Sequence, residues 1–197
     1  MTVDERTREV HPLTLFAPEG ARLLMLGSFP PPRERWRMDF FYPNFQNDMW
    51  RIFGLVFFAD KSHFLTDDGR AFREAELRRF LTERGIAIWD TAMEVSRLQG
   101  NASDKFLEVL RPIDLRQTLA MLPSCRAIAV TGQKALDTLL TLVAAPSTPK
   151  TGEWTDASLD DRCFRLYRMP SSSRAYPLSV EKKAEKYARM FEEMGLK

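Results

Sequence analysis

The chain has 197 residues, enough for one well-buried domain and short for two. Apolar residues make up 44% and charged residues 28%, which excludes a disordered chain, and no apolar run approaches the roughly 20 residues of a membrane-spanning helix. A net charge of +2 is too slight for a protein that coats nucleic acid without specificity, yet it suits an enzyme that grips a few phosphates locally.

Residues 1–19 mix Asp4, Glu5, Arg6, Arg8 and Glu9 with no apolar stretch, so they read as an N-terminal extension rather than a secretory signal. Residues 22–26 (RLLML), flanked by Gly20 and Gly27, form the first of four short apolar runs. The others are residues 86–89 after Gly85, 127–130 before Gly132 and 163–169 before Pro170. Continuous runs of this kind predict strands buried on both faces. Between the first two lie a helix with Met49, Phe53, Val56 and Phe57 on one face, N-capped by Asn47, and a charged amphipathic helix over 71–84 closed by Gly85. Pro112 suits the first turn of a helix carrying Leu115, Leu119 and Leu122. A further stripe joins Ala135, Leu136, Leu139, Leu140 and Val143, the Pro/Thr/Gly-rich stretch 145–155 reads as a loop, and Ser179 caps a last helix facing inward with Val180, Ala184, Tyr187, Ala188, Phe191 and Met194.

Strand–helix alternation predicts an α/β fold: a three-layer α/β/α sandwich around a short, mainly parallel four-stranded sheet. No linker divides the chain, so a single domain over 1–197 is expected. Two cysteines, Cys125 and Cys163, cannot build a disulfide framework, a four-cysteine zinc site or an iron–sulfur cluster, and read as buried thiols in a reducing cytoplasm. The two histidines, His11 and His63, fall in segments that look peripheral, which argues against serine or cysteine nucleophile chemistry.

Sites in such folds lie beyond the carboxyl ends of the strands. Gly27-Ser28-Phe29-Pro30-Pro31-Pro32 is either a backbone approach to a ligand or a stiff turn. In the segment 40–50, Phe40, Phe41, Tyr42 and Phe45 are interleaved with Asn44, Gln46 and Asn47. The rings offer stacking faces and the amides paired donors and acceptors, although Asn47 serves equally as a helix cap. Asp90 follows the second strand and reads as a polar contact or a turn cap. Ser171-Ser172-Ser173-Arg174 suits a phosphate or is a solvated loop.

Taken together, Gly27-Ser28-Phe29-Pro30, the segment 41–50, Gly85-Ile86-Ala87-Ile88-Trp89-Asp90, Thr131-Gly132-Gln133-Lys134-Ala135 and Pro170-Ser171-Ser172-Ser173 resemble, in order, the motifs of the uracil-DNA glycosylase superfamily. The likeness is greatest to its hypoxanthine-DNA glycosylase branch and spans roughly residues 20–195. What the resemblance implies is hydrolysis of the N-glycosidic bond of a deaminated base (hypoxanthine, uracil or xanthine) flipped out of DNA, without metal, iron–sulfur cluster or other cofactor. It assigns Asn47 and Ser28 to catalysis, and Gly27, Phe29, Phe41, Asn44 and Asp90 to the base. Ser171, Ser172, Ser173, Arg174, Tyr176 and Lys134 fall to the DNA, with Arg174 and Tyr176 where related enzymes push a wedge into the duplex. A monomer of cytoplasmic, nucleoid-associated location follows from the same likeness.

Departures from the pattern stand beside the matches. Phe29 occupies the place of a water-activating Asp or Asn in the best-known branches, and Met169 that of a histidine that steadies the leaving base. Thr131 stands for an Asn, and Asp90 for an amide that reads the base. An ionised Asp90 accepts from a ring N–H but cannot donate to a carbonyl. These replacements keep open a second reading, a weak or inactive DNA-binding member of the same fold. A third is a hydrolase of nucleosides, for which the wedge residues would have no use.

Overall fold

The computed structural model describes residues 8–97 and 106–197. Arg8–Val10 form a short strand, β1, and Leu23–Gly27 form β2, every residue of which is buried. A proline-rich loop with one 3-10 turn leads to the helices α1 (Met49–Phe58) and α2 (Glu74–Arg84). Then come β3 (Ile86–Asp90), β4 (Ala92–Arg97), β5 (Leu107–Pro112), α3 (Leu115–Ala120), β6 (Ala127–Thr131) and α4 (Gln133–Leu140). The antiparallel pair β7 (Glu153–Leu159) and β8 (Arg162–Met169) is followed by α5 (Val180–Glu193).

The larger sheet runs β3-β2-β6-β8-β7, with β3, β2, β6 and β8 parallel and β7 antiparallel at the edge. The chain steps from β2 to β3 in one direction and from β3 through β6 to β8 in the other. Right-handed crossovers therefore put α1 and α2 on one face and α3 and α4 on the opposite one. α5 returns to the α1 face, where Phe191 packs against Phe53 at 5.3 Å and Phe57 at 4.9 Å. This is the predicted α/β arrangement, its four parallel strands written as the four apolar runs. Because the crossovers from β2 onward leave to either side, the carboxyl ends of β2, β3 and β6 meet at the switch point, the place where α/β folds bind ligands.

The differences share one physical cause. β7 arises partly from the stretch read as a loop, and β1, β4 and β5 form a separate antiparallel sheet in the order β1-β4-β5. These strands mix polar with apolar residues, so a search for continuous apolar runs passes them by. Pro112 ends β5 opposite Ala92 rather than opening a helix. Asp114 caps α3, accepting the Gln117 N–H at 3.0 Å. α2 starts at Glu74 rather than 71, since Phe72 pairs with Leu65 in an isolated bridge, and α4 stops at Leu140. Asp48, not Asn47, holds the N-cap position of α1. Gly85 closes α2 at φ +69°, and Ser179 caps α5 through the Lys182 N–H. Cys125 is buried, which pushes its thiol pKa up, but Cys163 is exposed, against expectation. Among the described residues no helix is long and apolar enough to cross a membrane.

Candidate active site at the strand ends

Gly27, the last residue of β2, lies opposite Asp90 of β3 in the parallel register. A Cβ at Gly27 would collide with Oδ1 of Asp90 and stand 3.3 Å from the Tyr42 hydroxyl, so glycine here permits a close approach of carboxylate to backbone. Tyr42 holds a left-handed backbone (φ +50°) and its hydroxyl meets Oγ1 of Thr131, at the end of β6, at 2.9 Å. The Thr131 hydroxyl also donates to the Leu26 carbonyl at 3.4 Å. Three strand ends and the aromatic segment thus converge on one spot.

The other oxygen of Asp90 is taken by a residue the sequence reading set aside. His11 is central rather than peripheral: its side chain has no solvent exposure, and Nε2 lies 2.8 Å from Oδ2 of the buried Asp90. The imidazole packs against Trp89 at 4.5 Å and edge-on to Phe29 at 5.2 Å. Phe29 itself sits under the small sheet with Ala92, Val95 and Leu107, and Phe41 is buried against Phe40 and Trp89. His63 stacks on Phe58 at 3.6 Å, away from these groups.

A second cluster adjoins the first through Gly132, where a Cβ would stand 3.5 Å from Cβ of Ser171. Gly132 (φ +99°) donates its N–H to the Met169 carbonyl at 3.2 Å. Asn47 bridges Ser173 in a short antiparallel contact, and the Asp48 N–H donates to the Ser172 carbonyl at 2.9 Å. Asn47 Oδ1 accepts the Met49 N–H at 2.9 Å, which turns its amide donor outward from the helix end. Within the loop, Ser171 Oγ accepts from the Ser173 N–H and Ser173 Oγ from the Ala175 N–H.

Behind this loop three cations gather around one carboxylate. The buried Asp48 accepts from Arg174 Nε at 3.0 Å and lies 3.5 Å from Arg51. Lys183 of α5, 1% exposed, donates to the Ser173 carbonyl at 2.7 Å. Burial holds the Lys183 ammonium below the usual lysine value, Arg174 adding to the effect and Asp48 opposing it. The arrangement carries excess positive charge beside a loop of serine hydroxyls, which suits an anion. Lys183 was missed although its spacing marks it, since it falls among Val180, Ala184 and Tyr187 on the inner face of α5. Tyr187 donates to the Pro170 carbonyl at 2.9 Å, and complete burial raises its phenol well above the ordinary tyrosine range.

The remaining predicted residues are dispersed around these clusters. Ser28 is buried and its carbonyl accepts the Ala92 N–H. Asn44 caps a turn through the Gln46 N–H and lines a groove of about 640 Å³ with Arg35, Arg37, Gln46 and Arg70. Lys134 lies in the first turn of α4. Arg174 is half-exposed and tied to Asp48, and the Tyr176 ring lies 5.7 Å from Lys183 Nζ. Among the described residues no group of three or more His, Cys, Asp or Glu side chains is placed to hold a metal ion.

Comparison with protein-family models and with curated proteins finds no match. Among solved structures, the chain is similar to the solution NMR structure of a "putative Uracil DNA glycosylase" from Methanosarcina acetivorans. The two share 22% identity at a TM-score of 0.58, over 92% of this chain and 98% of the other. The chain therefore has a uracil-DNA-glycosylase-like fold.

Proposed function

We propose that the protein is a DNA glycosylase that hydrolyses the N-glycosidic bond of a deaminated base flipped out of DNA. The observation that carries this reading is the meeting of Gly27, Asp90, Tyr42 and Thr131 at the switch point with the Asn47 and Ser171–Ser173 segments directly beside them. The ordered motifs and the fold of the Methanosarcina protein support it. Gly27, Phe41, Asn44 and Asp90 border the base, while Phe29 supports the wall behind His11. The serine loop, with the buried charges of Arg51 and Lys183 behind it, faces the phosphates, Lys134 adds charge, and Arg174 and Tyr176 face the gap left in the duplex.

The reaction adds water across a C–N bond. A water oxygen bonds to C1′ of an oxocarbenium-like sugar, the base departs with the electron pair of the broken bond, and the protons of water end on the base and the new hydroxyl. Asn47 is a poor proton acceptor, so its part is to orient water or sugar through its amide donor. Ser28 adds a hydroxyl at the β2 end. Removing one oriented donor of this kind costs about a hundredfold in rate.

The test is incubation with duplexes carrying hypoxanthine, uracil, xanthine or mismatched thymine, followed by alkaline cleavage at abasic sites. Scission of at least one is expected, and Asn47→Ala should lower it about a hundredfold in a protein that still folds, with a small fall in thermal midpoint from the lost bond to the Met49 N–H. No scission at large enzyme excess would favour the second reading, a DNA-binding member without turnover. The buried, apolar Phe29 and Met169 at catalytic positions of related enzymes speak for that one.

A further inference from the structure

Burial of an imidazole demands partners at both ring nitrogens. His11 has them: Asp90 at Nε2 and Leu13 at Nδ1, the latter offering both its N–H and its carbonyl at 3.2 Å. In the neutral ring Nδ1 accepts from the Leu13 N–H, and in the imidazolium it donates to the Leu13 carbonyl. In both of these forms Nε2 carries hydrogen and points it at Oδ2 of Asp90.

The ring is fixed by its own strand. The His11 N–H donates to the Met93 carbonyl at 2.8 Å, directly after the pairing of Val10 with Glu94. One residue before that pair, Glu9 accepts from Arg97 at 2.7 Å. Trp89, Phe29 and Phe41 then pack around the imidazole.

We propose that His11 is a positioning residue of this site: it occupies Oδ2 of Asp90 and so presents Oδ1, over Gly27, as the acceptor for an N–H on the pairing edge of a base. For its ligand the proposal rests on the glycosylase reading. It narrows the ligand class to bases that offer such an N–H, and a methyl group on that nitrogen would block them. The titratable groups facing Asp90 are His11 from the N-terminal segment and Tyr42 from the loop before α1, with Tyr187 of α5 behind Tyr42. β2 and β6 contribute only Gly27 and Thr131 there.

The test compares wild type with His11→Gln, whose amide N–H falls where Nε2 stood, and His11→Asn, whose amide reaches only the Nδ1 position. Among the duplexes carrying hypoxanthine, uracil, xanthine or mismatched thymine, excision of the base that the wild type cuts best is followed, together with the Kd for that duplex and the thermal midpoint. His11→Gln should stay within about threefold of wild type, and His11→Asn should fall about ten- to a hundredfold. Equal behaviour of the two folded variants, both intact or both impaired, overturns the proposal. Should His11→Asn fail to fold, ¹⁵N-histidine NMR of the wild type decides. With only His11 and His63 in the chain, an Nε2–H resonance retained over about pH 5 to 8 is expected for His11, and a neutral ring protonated at Nδ1 overturns it. If the wild type binds one of these duplexes without cutting any of them, the glycosylase reading falls while the Gln-over-Asn order in Kd still decides this one. If it neither binds nor cuts any of them, both fall.

Discussion

At Gly27 a strand and a carboxylate come closer than any side chain allows, and one methyl group tests what that closeness is for. Gly27→Ala places its Cβ against Oδ1 of Asp90 and near the Tyr42 hydroxyl. Overpacking of this sort costs about 1–3 kcal/mol, a loss the thermal midpoint will register. Excision should fall further than stability does, because the atom displaced is the one turned to the ligand. A folded Gly27→Ala protein with wild-type excision would remove Asp90 from the site. The strand-end positions of Gly27, Asp90 and Ser171 could be read from the chain alone because buried parallel strands write continuous apolar runs, and these residues stand where the runs end. His11 could not be: its partner lies 79 positions away, and nothing within a few residues of either one encodes the pairing. Lys183 lies between these cases, encoded by helical spacing but hidden by the assumption that a lysine faces water.

Whole elements were legible where they bury one apolar stripe or two apolar faces, as α1, α5 and the parallel strands do, and illegible where polar and apolar residues mix. The β1-β4-β5 sheet shows what holds such a mixed element together. Glu94 of β4 sits between Arg111 of β5, at 2.9 Å, and Arg8 of β1. Arg111 first, with Arg8 adding to it, holds the Glu94 carboxyl below the usual glutamate value. A carboxylate depressed on folding adds stability that is fully present above its unfolded pKa and lost as pH falls through its folded pKa. Glu94→Gln should therefore lower the thermal midpoint at neutral pH, with the gap to wild type closing as the pH drops below the model-peptide glutamate range. A gap that stays constant with pH would show that Glu94 acts by packing rather than by charge. Salt should narrow the gap as well, since both arginine side chains are 54% exposed and screened.

At the scale of the molecule, the N-terminal segment closes the site rather than hanging from it. It supplies β1 to the small sheet, and its His11 ring covers Phe29, which packs with Ala92, Val95 and Leu107. Arg97 binds the segment to the proline-rich loop, donating to Glu9 and to the Pro30 carbonyl. Deleting residues 1–12 therefore removes an edge strand, uncovers Phe29 and strips Asp90 of its donor in one step. The truncated protein should melt at a clearly lower temperature and lose excision by more than His11→Asn alone, because the wall behind Asp90 goes with the hydrogen bond. The parallel sheet and the α1–α5 aromatic contacts lie outside the deleted stretch, so far-ultraviolet circular dichroism should keep its α/β character. A truncated protein that melts and cuts like the full chain would mean that the larger sheet shapes the strand-end site unaided, and that the small sheet merely covers one side of it.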